Sequence, residues 1–276
     1  MILADCHMHS LFSGDSEAPL AEQAEAALAK GLETICITDH EDLFYPEIPD
    51  GPSDIFDLDI PAYQAAVRAL RDQYAGKLNV RTGIELGLAP QALPSYRDIL
   101  EKFHFDFVLG SIHVVDGYDI YYPDYWREHP GEQGLRRYFE CMLEQIRAFD
   151  NFDSLSHLDY AARVLMDQDG NPVDRHYRFS DFSDVIDPVL RWVIDHDKAL
   201  EVNTAGYKYG LGVPNPQPEV LSRYRELGGE KITIGSDGHR PEHIAYDFKR
   251  CEDLLTTLGF RYYWIYQDRT GTPVAF

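Results

Sequence analysis

Two histidines separated by one residue follow the apolar segment at the start of the chain. They are His7 and His9 in the sequence Asp-Cys-His-Met-His-Ser, and the apolar segment is 1–4. In a β-strand, side chains two residues apart point to the same face, about 7 Å apart along the backbone. Two imidazoles on one face can bind one metal ion. The alternative is a pair of exposed histidines near a terminus without a chemical role.

The same pattern recurs at five further places, each an apolar, β-prone run that ends in a histidine or a carboxylate. The five sequences are Thr38-Asp39-His40, Gly83-Ile84-Glu85, Ser111-Ile112-His113, Ser156-His157-Leu158-Asp159 and Gly235-Ser236-Asp237-Gly238-His239. In barrel enzymes the active site lies at the C-terminal ends of the strands. One such residue is a weak signal. The repetition of this pattern in several strands predicts an active site at one rim of a barrel.

The potential ligands are imidazoles and carboxylates. They are His7, His9, Asp15, His40, Glu85, His113, His157, Asp237 and His239. Imidazole and carboxylate suit Zn²⁺, Mn²⁺ or Fe²⁺, and the lack of thiolate ligands favours a catalytic centre over a structural zinc site. So large a set exceeds the needs of one ion, so we predict two or three divalent transition-metal ions that share a bridging carboxylate. Clustered ions acidify a bridging water and bind both ends of a phosphoryl displacement.

Strand-like and helix-like segments alternate along the chain, which predicts βα units around a parallel sheet. The predicted strands are 2–9, 34–38, 78–86, 105–112, 153–157, 199–203 and 231–235. The predicted helices are 19–30, 61–74, 94–103, 132–149, 181–196, 218–227 and most of 241–258, followed by a hairpin over 261–276. No repeat or linker divides the sequence. We therefore predict one domain over residues 1–276, a barrel of seven βα units.

Two long connections stand out between these elements. Residues 41–59 form an acidic segment with Pro46, Pro49 and Pro52, and a loop of this length is more often functional than incidental. Residues 115–130 are rich in tyrosine, which fits either a packed cover over the end of the core or a substrate lid.

The composition limits the possible partners. Of 276 residues, 47 are Asp or Glu and 25 are Lys or Arg, which gives a formal charge of −22. Such a surface repels long nucleic acids and anionic membranes, but bound metal ions can still attract a small phosphorylated substrate.

The four cysteines are widely separated, and no apolar stretch approaches the ~20 residues of a membrane span. Without an apparent signal peptide, these features predict a cytoplasmic enzyme with reduced thiols.

The motifs HxH, TDH, GxE, SxH, HxD and SDxH, in this order, resemble the polymerase and histidinol phosphatase (PHP) superfamily. The run Ser-Ile-His-Val-Val-Asp-Gly followed by Tyr-Tyr-Pro is similar to the histidinol-phosphatase branch, as is the chain length. The resemblance implies a distorted TIM-like (β/α)7 barrel, the PHP barrel, with a trinuclear site at the C-terminal ends of the strands. It also implies hydrolysis of L-histidinol phosphate to L-histidinol and phosphate, in histidine biosynthesis, through a metal-bridging hydroxide.

The resemblance further implies how the ligands divide among three ions. The first ion would take His7, His9, Glu85 and Asp237, the second Glu85 as a bridge with His113 and His157, and the third His40 and His239. The remaining ligand of the third ion would come from the first loop. Asp15 stands where many family members have histidine and can still ligate; alternatively it is a turn or N-cap residue before the first helix. Glu85, Asp237 and His239 are the predicted catalytic residues.

Basic residues at two places in the barrel rim are similar to those that hold the substrate phosphate in related phosphatases. They are Arg163 and Lys208, and the alternative for each is a surface cation paired with an acid. Asp116 and Asp119 could meet a cationic end of the substrate, or be solvated loop acids. Surface or packing roles are predicted for the histidines that match no motif, which are His104, His129, His176, His196 and His243.

Two other functions remain open from the sequence. One is a PHP phosphoesterase that acts on nucleotides or nucleic-acid ends. The other is a metal-binding barrel that serves as a non-catalytic partner protein. The complete ligand set argues against the latter.

Overall fold

Parallel strands form the centre of the computed structural model, which describes residues 1–48 and 54–276. The strands are β1 (Ala4–Asp5), β2 (Thr34–Ile37), β3 (His40–Glu41), β4 (Asn79–Gly87), β5 (Phe107–Ser111), β6 (Val114–Val115), β7 (Tyr118–Asp119), β8 (Ser154–Leu155), β9 (Ala199–Asn203), β10 (Ile232–Gly235), β11 (Tyr262–Gln267) and β12 (Thr270–Ala275). In the described part of the chain, seven of them pair in parallel in the order β1-β2-β4-β5-β8-β9-β10, and β3 pairs with β4.

Backbone hydrogen bonds beyond the first and last strands close the sheet into a barrel. The N–H of Cys6 donates to the carbonyl of Ile234 at 2.9 Å, and the N–H of Asp237 donates to the carbonyl of His7 at 2.8 Å. Met8 pairs in parallel with Gly238 one step further along. The predicted barrel of seven parallel strands is therefore confirmed.

Helices cover the outside of the barrel. They are α1 (Leu20–Ala29), α2 (Ile60–Gln73), α3 (Leu93–Lys102), α4 (Pro123–Glu128), α5 (Glu132–Ala148), α6 (Phe179–Asp195), α7 (Ala205–Lys208), α8 (Pro218–Glu226) and α9 (Phe248–Thr257), with 3-10 turns at Tyr160–Val164 and Pro241–His243. Local chemistry sets several ends: Asp59 caps α2 by accepting from the N–H of Ala62, and Gly31 with φ of 78° follows α1. No helix in the described ranges is long and apolar enough to cross a membrane.

The strands are buried on both faces, as the continuous apolar runs in the sequence require. All five residues of β5 and all five of β9 are buried, and in β9 the set includes the carboxylate of Glu201. Burial of each large aliphatic side chain contributes about 1.5–3 kcal/mol to stability. The interior is thus a packed core, and the polar ends of the strands gather at one rim.

The first strand is shorter than the sequence predicted. It ends at Asp5, whose buried carboxylate accepts hydrogen bonds from the N–H and hydroxyl of Ser236, at 2.9 and 2.5 Å, and from the N–H of Ala245. Residues 6–9 remain buried, and their backbone continues beside the C-terminal end of β10.

The two long connections differ in what the structure assigns to them. Within 115–130, the short hairpin β6–β7 and helix α4 bury Tyr125 and Trp126, so part of the segment is a packed cover. In the predicted loop 41–59, residues 49–53, with Pro49 and Pro52, lie outside the described residues. The predicted C-terminal hairpin is confirmed by the antiparallel pairing of β11 and β12.

Candidate metal centre

Glu85, on β4, lies at the centre of the gathered side chains and is fully buried. Its Oε2 lies 3.0 Å from Nε2 of His7 and 3.3 Å from Nε2 of His9. Its Oε1 lies 3.1 Å from Nε2 of His157 and 3.4 Å from Nε2 of His113. Nδ1 of His40 also lies 3.3 Å from Oε2. The two carboxylate oxygens therefore face different sets of imidazoles, which is the arrangement of a bridging ligand.

The first pair has the spacing of atoms that share one ion. Nε2 of His7 lies 3.0 Å from Nε2 of His9, and Oδ1 of Asp237 lies 3.4 Å from the latter atom. In a tetrahedral site with bonds of about 2.0 Å, ligand atoms are separated by about 3.3 Å. Because Nδ1 of His7 donates to Glu201 at 2.6 Å, its Nε2 presents a lone pair toward the other three ligands.

One member of the second pair is held in the same way. Nδ1 of His113 donates to Oδ2 of Asp42 at 2.6 Å, which directs Nε2 of the ring toward Glu85, where the neutral imidazole could bind an ion. Nδ1 of His157 is buried without a hydrogen-bond partner among the described residues.

A third group adjoins the first. Oδ2 of Asp15 lies 2.9 Å from Nε2 of His239 and 3.8 Å from Nε2 of His40. The ring of His9 lies close to the rings of both His40 and His239, with centroids 4.3 and 4.1 Å away. The structure thus brings Asp15 together with His40 and His239, as the predicted third site requires.

Opposite charges dominate the electrostatics of this cluster. Burial alone would lower the pKa of His7 and His113, but the facing carboxylates raise both well above the ordinary value for histidine. Burial would also lower the pKa of His40, but the charges of Glu85 and Asp15 raise it to about 9. Burial works against the ionised form of Glu85, yet the imidazoles hold the pKa of Glu85 well below its usual range. Anionic and nitrogen donors at these distances fit two or three divalent transition-metal ions.

Several residues that sequence reasoning missed orient the ligands. Glu201 holds His7, and Asp42 holds His113. The hydroxyl of Ser13 contacts Nδ1 of His9 at 3.0 Å and donates to Asp39 at 2.8 Å. A glutamate inside the apolar strand Ala199–Asn203 was a signal for Glu201, since an acid at such a position needs a partner.

A cavity of about 700 Å³ opens above the ligands. Arg163 lines it and is itself buried, with Nη1 donating to Asp237 at 3.0 Å, Nη2 to Asn203 at 2.8 Å and Nε to Asn215 at 2.6 Å. Arg175 and Arg240 also line the cavity. Lys208 lies behind Asp237, where its Nζ donates to the Asp237 carbonyl at 3.0 Å, and it is not among the described residues that line the cavity.

The structure places the histidines outside the motifs in different surroundings. His243 lines the cavity, because the turn Pro241–His243 follows β10 and returns to the rim. His196 packs against the ring of Trp192, with centroids 4.0 Å apart, and His104 pairs with Asp268 at 2.8 Å.

Comparison with known proteins identifies the family. A family model described as PHP domain matches residues 5–205. The chain belongs to the PHP family. The predicted resemblance is therefore confirmed.

Similar PHP proteins carry histidinol-phosphatase names. A Clostridium acetobutylicum protein named "Probable histidinol-phosphatase" is 34% identical over 247 residues, which are 90% of this chain and 90% of that protein. The histidinol-phosphatase of Lactococcus lactis is 28% identical over 262 residues, 93% of this chain and 91% of that protein. The crystal structure of the Lactococcus lactis histidinol phosphate phosphatase, in complex with zinc, L-histidinol and phosphate, superposes with a TM-score of 0.86 and 26% identity over 98% of both chains.

Proposed function

We propose that this PHP protein is a metal-dependent phosphomonoesterase that hydrolyses L-histidinol phosphate to L-histidinol and phosphate. The observation that carries the proposal is the bridging position of Glu85 between two imidazole pairs, at the floor of a cavity with a buried arginine. The names of the similar histidinol-phosphatases, and the zinc, L-histidinol and phosphate in the Lactococcus lactis structure, support the choice of substrate.

Nine side chains would hold the ions in this function. They are His7, His9, Asp15, His40, Glu85, His113, His157, Asp237 and His239. Divalent ions at such a centre supply an acidified water and neutralise negative charge on a phosphoryl group. The protein's own contribution is to keep the nitrogen lone pairs aimed inward, which Glu201 does for His7 and Asp42 does for His113.

Arg163 would bind the phosphoryl oxygens. Two asparagines and Asp237 fix its guanidinium, so little side-chain entropy remains to be lost when a phosphate binds. A planar, charged donor fits phosphoryl oxygens, and its strength increases in a site shielded from water. Lys208, which lies behind Asp237, would add positive charge without direct contact.

We also propose a cytoplasmic location and a single domain over residues 1–276. Four cysteines that are buried and free support a reducing compartment. The single domain is supported by the participation of β1 and β10 in one barrel, and by the packing of β11 against β10.

A phosphate-release assay on metal-replete protein tests this function. L-Histidinol phosphate should exceed nucleotides and sugar phosphates by about a hundredfold in kcat/KM, which corresponds to about 2.7 kcal/mol. Metal content measured on the same sample should be two or three ions per chain, and one fewer in Asp15→Ala. Protein with its ions that prefers a nucleotide would favour the other phosphoesterase activity, and metal-replete protein without turnover would favour a non-catalytic role.

A further inference from the structure

The cavity has positive and negative charges on different parts of its rim. Arg163 follows β8 and Arg240 follows β10, so two of its cations belong to the later strands of the barrel. Asp119, at the end of β7, and Tyr45, after β3, line the cavity from the earlier strands. A ligand in the cavity can therefore meet guanidinium groups and the carboxylate of Asp119, which come from different connections of the barrel.

The carboxylate of Asp119 has a backbone partner and, in the described part of the chain, no salt bridge. It is half-buried, and its Oδ1 accepts from the N–H of Tyr121 at 2.8 Å. The hydroxyl of Tyr45 and the charge of His113 both favour its ionised form, and His113 already donates to Asp42. Burial raises the pKa of Asp119, because the ionised form is partly removed from water.

Asp116, three residues earlier, provides a direct contrast. Both of its oxygens accept from the guanidinium of Arg137, at 2.7 and 2.8 Å, and His129 lies 3.6 Å away. The charge of Asp116 is thus neutralised by Arg137, and Asp116 is not among the described residues that line the cavity. Of the two acids in this hairpin, only Asp119 is left to pair with a cation from outside.

Aromatic rings line the cavity together with Asp119. Tyr45, Phe56, Tyr121 and Tyr122 all line it, and Tyr45 packs edge-on against Phe56 with centroids 4.7 Å apart. A ring face attracts an ammonium, guanidinium or imidazolium group within about 6 Å, and this attraction adds to that of a carboxylate. The carboxylate of Asp119 would repel a second phosphate at this place.

We propose that Asp119, with Tyr45 and Tyr121, forms a subsite for the cationic part of the substrate, an ammonium or imidazolium group. The subsite selects phosphate monoesters that carry such a group several bonds from phosphorus. This assignment rests on the proposed function, and it adds the residues that decide which phosphate ester is used.

The test compares two substrates in the parent protein and three variants. L-Histidinol phosphate carries cationic groups, whereas p-nitrophenyl phosphate is a monoester without a cation. In Asp119→Asn, kcat/KM for L-histidinol phosphate should fall at least tenfold more than kcat/KM for p-nitrophenyl phosphate, with the difference mostly in KM. Asp116→Asn is the matched control, and it should change the ratio of the two kcat/KM values by less than about twofold.

Each result decides the matter. If Asp119→Asn loses activity equally on both esters, Asp119 shapes the site without reading the cation, and the subsite is overturned. A preference for L-histidinol phosphate that persists in Asp119→Asn overturns the subsite while leaving the proposed function intact. Parent protein that cleaves both esters equally well overturns the proposed substrate and the subsite together. Partial recovery of the preference in Asp119→Glu, which restores the charge, would support the subsite.

Discussion

At the scale of single residues, two of the ligand imidazoles are oriented by an acid that binds the other ring nitrogen. Glu201 accepts from Nδ1 of His7 and Asp42 accepts from Nδ1 of His113, so each Nε2 is an acceptor that can bind a metal ion. Both carboxylates are buried, and a buried charge is stable only when it is paired. The centre therefore depends on an outer layer of acids as much as on the ligands.

His243 supplies a pH-dependent term to the stability of the protein. Burial and the charges of Lys208 and Arg240 lower its pKa to about 4, whereas an unfolded histidine titrates near 6.5. Below pH 6.5 the unfolded chain binds a proton that the folded protein does not, so this residue makes stability fall from pH 6.5 toward 4. The free energy of unfolding should therefore decrease between pH 7.5 and pH 5. After allowance for the partial exposure of His243, we expect His243→Gln to make this decrease smaller by about 1 kcal/mol.

Urea unfolding of metal-replete protein at both pH values measures this difference. His176→Gln is a suitable control because that side chain is 70% exposed, and this variant should follow the parent protein. An unchanged difference between the two pH values in His243→Gln would contradict the prediction.

Part of this residue-level picture could be read from the sequence. The sequence patterns predicted His7, His9, Glu85, His113 and the other ligands, and the fold brings all nine together. The sequence could predict these ligands because parallel strands bring the residues at their ends to one rim, whatever the lengths of the connections. It could not predict the positions of His243 and Asp42, since each lies in an irregular connection whose path depends on packing and not on a periodic pattern.

At the scale of elements, the C-terminal hairpin secures the end of the barrel opposite the ligands. Tyr263 on β11 is buried, and its hydroxyl accepts from the N–H of Leu3, just before β1. Tyr266 on the same strand packs against Phe107 of β5, with ring centroids 5.0 Å apart. The hairpin therefore fixes both the first strand, which carries His7 and His9 beyond its end, and a strand across the barrel.

Tyr263→Ala should destabilise the protein by about 3–5 kcal/mol, since it leaves a cavity where the ring was. Tyr263→Phe should cost only about 1 kcal/mol, because it removes one hydrogen bond and keeps the packing. Guanidinium unfolding measures both values. The neighbouring Tyr262→Ala, at a side chain that is 47% exposed, should change stability by less than about 0.5 kcal/mol. Equal losses at positions 262 and 263 would show that the hairpin is not anchored through Tyr263.

The elements themselves were predicted closely wherever local signals agreed. Proline and glycine marked the ends of α1, α2 and α8, and long apolar runs marked β4 and β5. The segment 115–130 was harder to interpret, because its aromatic residues have two different positions. Trp126 packs in the core, whereas Tyr121 lines the cavity. Composition alone cannot separate these two uses of an aromatic side chain.

At the scale of the whole molecule, bound ions should contribute much of the stability. The formal charge is −22, and several carboxylates converge on one buried cluster at the rim. Metal ions bind the folded ligand set far more tightly than the unfolded chain, so they stabilise by mass action. At a free ion concentration a thousandfold above Kd, one ion contributes about 4 kcal/mol, which is about 10 °C in a domain of this size.

Removal of the ions with a chelator should therefore lower the Tm by about 10 °C or more, and zinc or manganese added in excess of the chelator should restore it. Sodium chloride at the same ionic strength is the control. It screens exposed charges over about 10 Å at 0.1 M but hardly affects a buried cluster, so it should restore little of the loss. Differential scanning calorimetry of the same sample, with and without chelator, measures these shifts. A Tm that does not respond to the chelator would mean that hydrogen bonds between imidazoles and carboxylates suffice to hold the rim, and that the ions are needed for the chemistry alone.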